Sequence, residues 1–262
     1  MKTLPSQLNA ERGAFSSFEA CRNTQKGPVV ILASGASARH FPLGEFAHLP
    51  IIAMNGSISL TAACGLKPFF YVCTDRSFRD QQPELFATAL QHSERLALWP
   101  DQFGNADIPP DTECYPLHKA DNPGMLDGLR GHGASHVCGR ALWSKRARSI
   151  AFSKDMSSGH FDARTVAYVA LQLAYHLGFE QVLLVGVDLD QAVGRFYETG
   201  TGTVSPCGLD QHWDSRILPS LRLMAEQVVN EQFQVYNLST SSRIPDQLIP
   251  KIDLDEARRI AA

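Results

Sequence analysis

The sequence has no apolar run near the ~20 residues that a bilayer-crossing helix needs. Its N-terminus, Met1-Lys2-Thr3-Leu4-Pro5, is followed by polar residues instead of an apolar stretch, so no signal peptide is expected. The six cysteines (21, 64, 73, 114, 138 and 207) contain no C-x-x-C pair. That argues against a zinc site and for reduced thiols in a cytoplasmic protein. Charge of one sign is also lacking. Against 24 Lys and Arg stand 27 Asp and Glu, a formal net charge of -3, so there is no basic surplus to attract nucleic acid. Neither G-x-G-x-x-G nor the lysine-bearing Walker pattern occurs, and there is no internal repeat or low-complexity tract.

What remains is an ordinary globular composition, 44% hydrophobic and 19% charged over 262 residues. Pro28 to Ala33 is a continuous apolar run of the kind found in a strand covered on both faces, and it stops at Ser34-Gly35-Ala36-Ser37. Leu49 to Met54 repeats the pattern and ends at Asn55-Gly56-Ser57, followed by a helix from Ile58 to Cys64. Phe69 to Cys73 forms a third strand, ending at Thr74-Asp75. From 79 to 150 the spacing is less regular: Pro83 to Leu96 is predicted helical, Pro100 to Pro123 is rich in turn formers, and "GRALWSKRAR" is basic. Phe161 to Leu177 carries apolar residues at helical spacing and stops at Gly178. A strand over Val182–Val187, a glycine-rich loop over 191–215, a helix over Ile217–Glu231 and a last strand in "FQVYNLSTSS" complete the chain. The alternation predicts an α/β fold: a single Rossmann-like domain over 28–262 with a mostly parallel sheet, an N-terminal arm at 1–27 and a flexible lid at about 191–215.

Strand after strand ends in small or polar residues, and in open α/β sheets ligands bind at those carboxyl ends. The "ASGAS" turn lets backbone amides approach a phosphate or ribose, or it is simply a tight turn. In "MSSGHF", Ser157 and Ser158 are placed to cap the following helix, whose dipole favours an anion; His160 beside them reads as polar surface. Asp188 and Asp190 are two apart, so on a strand both would face one way and grip a divalent cation such as Mg2+. Alternatively, Asp188 binds backbone amides and shapes its loop without metal. His212, at the end of the glycine-rich loop, is a candidate general base with Asp210 or Asp214 to orient it, or an exposed loop histidine. Tyr197 would donate to a leaving phosphate or pack the lid shut.

The run "SSGHFDARTVAYVALQLAYHLGFEQVLLVGVDLD" resembles the signature of the bacterial lipooligosaccharide sialyltransferases, in which a T-S-G turn opens a helix that leads into "lGykeIyLsGiD". It is also similar to the wider group that holds Kdo-transferase-like proteins and archaeal hydroxymethylpterin pyrophosphokinases. The resemblance covers about residues 28 to 245 apart from 79–150. It implies nucleotide contacts at Ser34, Gly35, Ser37, Asn55, Asp75, Asp188 and at Ser157, Ser158 and Gly159 as the T-S-G, with His212 as general base and Tyr197 on the phosphate. In this alignment the arginine that precedes T-S-G in the family is replaced by Asp155, and one phosphate-binding tyrosine by Asp190.

The implied activity is transfer of an acidic sugar, Kdo or sialic acid in type, from a CMP-sugar donor to a lipopolysaccharide-core or related glycan, with no metal. The alternatives are a Mg2+-dependent pyrophosphokinase, with Asp75, Asp188 and Asp190 on the metal, and a non-catalytic nucleotide-binding relative. The stretch Arg140 to Arg148 is either a surface for an anionic glycan or the inner membrane, or a solvated helix face. Relatives of this kind often assemble, so a homo-oligomer is compatible with the resemblance.

Overall fold

The computed structural model describes residues 15–104, 106–141, 143–190, 194–197 and 208–262. Nine strands lie within them: β1 (Pro28–Leu32), β2 (Ile51–Met54), β3 (Phe70–Cys73), β4 (Arg95–Leu98), β5 (Glu113–Pro116), β6 (His136–Cys138), β7 (Ala151–Ser153), β8 (Gln181–Val185) and β9 (Gln234–Asn237). Seven form one sheet in the order β5-β4-β3-β2-β1-β8-β9, while β6 and β7 form a separate antiparallel ribbon. Every neighbouring pair in the large sheet is parallel. The chain steps outward from β1 to β5, then crosses to the other side of β1 and continues with β8 and β9. Strand order therefore reverses between β1 and β8, and a crevice opens at such a switch point.

Both faces of the sheet are covered, which is why its strands are continuous apolar runs. Successive side chains alternate between two cores. Val29 and Ile31 of β1 pack on one side with Val182, Leu184 and the helix Val166–Leu177, whose Val169, Leu173 and Leu177 are buried. Val30 and Leu32 pack on the other with Leu183, Val185 and the helices Pro83–His92 and Leu254–Ala261 through Phe86, Leu90 and Ala257. The helix Val166–Leu177 ends because Gly178 takes a left-handed φ of 97° and its amide, with that of Phe179, returns to the carbonyls of Tyr175 and Ala174.

Several expected boundaries move. The helix from Pro83 stops at His92, and Arg95–Leu98 is strand β4. The turn-rich segment after Pro100 holds β5, a short edge strand ending in proline. The strand after Gly178 ends at Val185, not Val187, because Gly186 turns the chain with φ 71°. The helix expected from Phe161 starts at Val166, so Ser157 and Ser158 do not cap it. Residues 191–193 and 198–207 of the expected lid lie outside the described residues, and its far end is helical over Leu209–His212. The N-terminal arm, described from residue 15, contributes to the core: Phe18 and Cys21 are buried, and the Phe18 carbonyl lies 2.8 Å from Nε2 of His176.

Five cysteines are described and all carry free thiols; Cys207 lies outside the described residues. Among the described residues no helix is long and apolar enough to cross a membrane.

Candidate functional site

A cavity of about 680 Å³ opens at the carboxyl ends of the central strands, with Ser34 and Gly35 after β1, Asn55 after β2, Asp75 after β3 and Asp188 after β8 in its wall. The sequence-marked strand ends thus converge on one space. Loops leaving parallel strands all emerge on the same side of a sheet, so their tips meet around the switch point.

Asp188 is 3% exposed and holds the turn after β1. One carboxylate oxygen accepts the Ser37 amide at 3.0 Å, and the other accepts the Ser37 hydroxyl in a short hydrogen bond. The Ser37 hydroxyl is also 2.6 Å from that of Ser239, which follows β9. Three strand ends are joined through one carboxylate. Gly35 fits beneath it because a Cβ there would lie 2.5 Å from Asp188 Oδ2 and collide with the Gly186 carbonyl. The expected alternation of Asp188 and Asp190 on a strand is absent. Both follow the end of β8, and Leu189 between them has a left-handed φ of 52°. Asp190 lines the cavity separately, and among the described residues no three His, Cys, Asp or Glu are grouped to hold a metal ion.

The opposite wall is the open end of the helix Val166–Leu177. Thr165 is its N-cap and makes no side-chain capping bond, so the first amides of the helix are not closed off by the cap. Thr165, Val166 and Ala167 all line the cavity. Arg164 immediately precedes them, exposed and with a φ of 65°, a backbone conformation that costs a non-glycine residue about 1–3 kcal/mol. Asp162 fixes that turn by accepting the Arg164 amide at 2.7 Å, and it pairs with Lys119 at 3.0 Å. Burial works to raise the Asp162 carboxyl, but the Arg164 amide and the Lys119 ammonium outweigh it and hold it below the usual range. A helix dipole, open amides and a guanidinium converging on one cavity wall are suited to phosphate.

His160, which reads as polar surface in the sequence, completes this wall. It is 1% exposed, lines the cavity and packs against Trp99, with ring centroids 5.4 Å apart. Burial lowers its pKa to about 4, despite the pull of Asp162, so it is a neutral imidazole near pH 7. Its Nδ1 has no hydrogen-bond partner among the described residues. Gln172, on the neighbouring helix, sets the backbone beside it: its side-chain oxygen accepts the amides of Phe161 and Ser153, both at 2.9 Å, and its nitrogen donates to the Phe161 carbonyl at 2.9 Å. Asn55 has a left-handed φ of 48°, and its buried Oδ1 also has no partner. Among the described residues the cavity therefore presents two buried polar atoms without a hydrogen-bond partner.

The other expected residues are not among those that line it. Ser157, Ser158 and Gly159 do not line the cavity; the Ser157 hydroxyl donates to Glu19 at 3.2 Å, Ser158 is exposed and Gly159 lies tight against Ala120. Tyr197 lies with its ring on Gly56 and edge-on to Phe196, 5.8 Å between centroids. His212 is half-buried at the end of its helix, whose leading residues Gly208 and Leu209 line the cavity. Asp210 accepts a hydrogen bond from Arg243 at 2.6 Å. The resemblance places T-S-G where the helix opens, with an arginine just before it. Thr165-Val166-Ala167 opens the helix here, and Arg164 immediately precedes it.

A family model described as 3-deoxy-D-manno-octulosonic acid transferase WaaZ matches residues 17–255. The chain belongs to this family. A probable 3-deoxy-manno-octulosonic acid transferase of Salmonella typhimurium (strain LT2) is 29% identical over 241 residues, covering 87% of each chain. One from Escherichia coli (strain K12) is 28% identical over 241 residues, covering 87% of this chain and 83% of its own. Among solved structures, the MAf glycosyltransferase of Magnetospirillum magneticum AMB-1 shares the fold at a TM-score of 0.51 and 14% identity. That match covers 92% of this chain, which spans only 36% of the MAf chain. As a Kdo-transferase-like glycosyltransferase, the chain works between a sugar donor and an acceptor, and the glycosyltransferase expectation prevails over the pyrophosphokinase one.

Proposed function

We propose that this glycosyltransferase moves an acidic sugar of the Kdo type from a CMP-activated donor to a lipopolysaccharide-core or related glycan. The observation that carries the proposal is the cavity wall in which Arg164 and the open end of the helix Val166–Leu177 lie together, a cradle for one donor phosphate. The unpartnered Asn55 oxygen across the cavity offers an acceptor to the cytidine or its ribose. In the proposed reaction His212 takes the proton from the acceptor hydroxyl as that oxygen attacks the anomeric carbon. The bond from that carbon to the phosphate oxygen breaks, and CMP leaves with the electron pair, its charge met by Arg164 and the helix amides. No divalent cation takes part in the proposal, because both oxygens of Asp188 are already engaged by Ser37.

The test is thermal stabilisation by CMP, CDP, UDP, GDP and ATP, each with and without Mg2+, followed by transfer assays on His212→Ala. A ligand at about 100 times its Kd adds about 2.7 kcal/mol. Stabilisation by CMP without metal is expected, and stabilisation by ATP with Mg2+ alone would overturn the donor assignment. His212→Ala should keep its fold and CMP binding while losing roughly 10²–10⁴-fold in turnover; near wild-type turnover would remove His212 from the reaction.

A further inference from the structure

Five large hydrophobic residues are exposed among the described residues, and four of them sit on one excursion of the chain. Met125 is 61% exposed, Leu126 68%, Leu129 58% and Trp143 91%. The first three are on the short helix Met125–Arg130, and Trp143 stands just before the turn Lys145–Arg148. The two pieces are knitted together. The Ala141 amide donates to the Gly128 carbonyl at 3.1 Å, and buried Arg148 donates to the carbonyls of Pro123 and Ala141, both at 3.3 Å. The exposed side chains are thus carried on a fixed platform.

Four cations surround them, Arg130, Arg140, Lys145 and Arg146, all exposed. None of the four is in an ion pair among the described residues. The nearest acid on the helix, Asp127, is half-buried and spends one oxygen on the Gly124 amide at 2.8 Å. This patch is basic on a chain whose formal net charge is -3.

We infer that this face docks on the surface of an anionic phospholipid bilayer. Leucine and methionine enter the acyl boundary, an indole settles at headgroup depth, and the stems of lysine and arginine lie along apolar surface with their charges among lipid phosphates. An anionic leaflet attracts each cation, whereas the patch repels a copy of itself. A two-fold contact is self-complementary, so it would set the four cations of one chain against the same four of the other. The excursion begins and ends at the cavity wall, since Lys119 and His160, both lining the cavity, meet in an isolated parallel bridge at its base. Docking there brings the cavity close to the membrane plane, where a lipid-linked glycan acceptor would be held.

The experiment is co-sedimentation of the full chain with phosphatidylcholine vesicles, with and without phosphatidylglycerol, alongside Trp143→Phe followed by emission. Its readout is vesicle binding, so it stands or falls apart from the donor assignment. Wild type should pellet with the anionic vesicles and shift its emission to the blue; Trp143→Phe should still bind but lose most of the shift. Leu126→Ser/Leu129→Ser/Trp143→Ser and Arg140→Glu/Lys145→Glu/Arg146→Glu should each bind roughly tenfold or more weakly with unchanged melting. Absence of wild-type binding, an unchanged blue shift in Trp143→Phe, or binding as tight as wild type by either multiple variant overturns the inference. So does a wild-type dimer in sedimentation that the Ser variant abolishes, which would assign the face to a second copy.

Discussion

The carboxylate of Asp188 and the amide of Ser37 meet at 3.0 Å across the switch point between β1 and β8. This contact, together with the bond to the Ser37 hydroxyl, gives the turn after β1 its shape and so sets one rim of the cavity.

Removing it should act on stability before chemistry. Asp188→Ala leaves a buried amide and a hydroxyl without their acceptor, at a cost of roughly 2–4 kcal/mol in urea unfolding. Asp188→Asn keeps the volume and one acceptor and should cost about half as much. If Asp188 instead served a metal, EDTA would abolish transfer by the wild type, and the expected outcome is no change.

Arg164 separates binding from folding. Its left-handed backbone is a conformation glycine adopts freely, so Arg164→Gly should leave stability within about 1 kcal/mol of wild type. The same change should weaken CMP binding by roughly tenfold or more, since it removes a charge-assisted contact. Calorimetric titration with CMP measures both parts once paired with a melting curve.

Acid should weaken the fold through its buried histidines. His160 and His176 both have lowered pKa values, chiefly from burial; Nδ1 of His176 accepts the Met156 amide at 3.1 Å. The unfolded chain therefore binds these protons first as pH falls. Stability is full above about pH 6.5 and declines toward the folded value of about 4 at His160, which contributes up to about 3 kcal/mol. Urea unfolding at a series of pH values should show this slope, and His160→Gln should flatten it.

The strand ends were legible because each is a sharp change from apolar to small polar residues, as at Leu32 to Ser34 and Met54 to Asn55. Topology then does the rest, since parallel strands bring their ends together. The helix opening was misplaced because Ser157-Ser158 has the composition of a cap, while the true opening at Thr165 has no such side-chain bond to announce it. Nothing local marks the left-handed turn at Arg164. His160 looked like surface because its burial comes from Trp99, distant in sequence. Strand β5, Glu113–Pro116, buries only Tyr115 fully and ends in proline, as an edge strand tolerates and an apolar pattern does not reveal.

The pairing of β1 with β8, Val29 beside Val182 and Leu32 beside Val185, has a consequence for the birth of the protein. During synthesis β1 leaves the ribosome long before β8 exists, and its inner edge stays open until more than half the chain has followed. Closing so long a loop is slow, and an unpaired apolar strand is an invitation to aggregate. The cavity at the strand ends cannot form until β8 has joined β1, and conditions that stall translation between the two strands should yield chains that associate instead of folding.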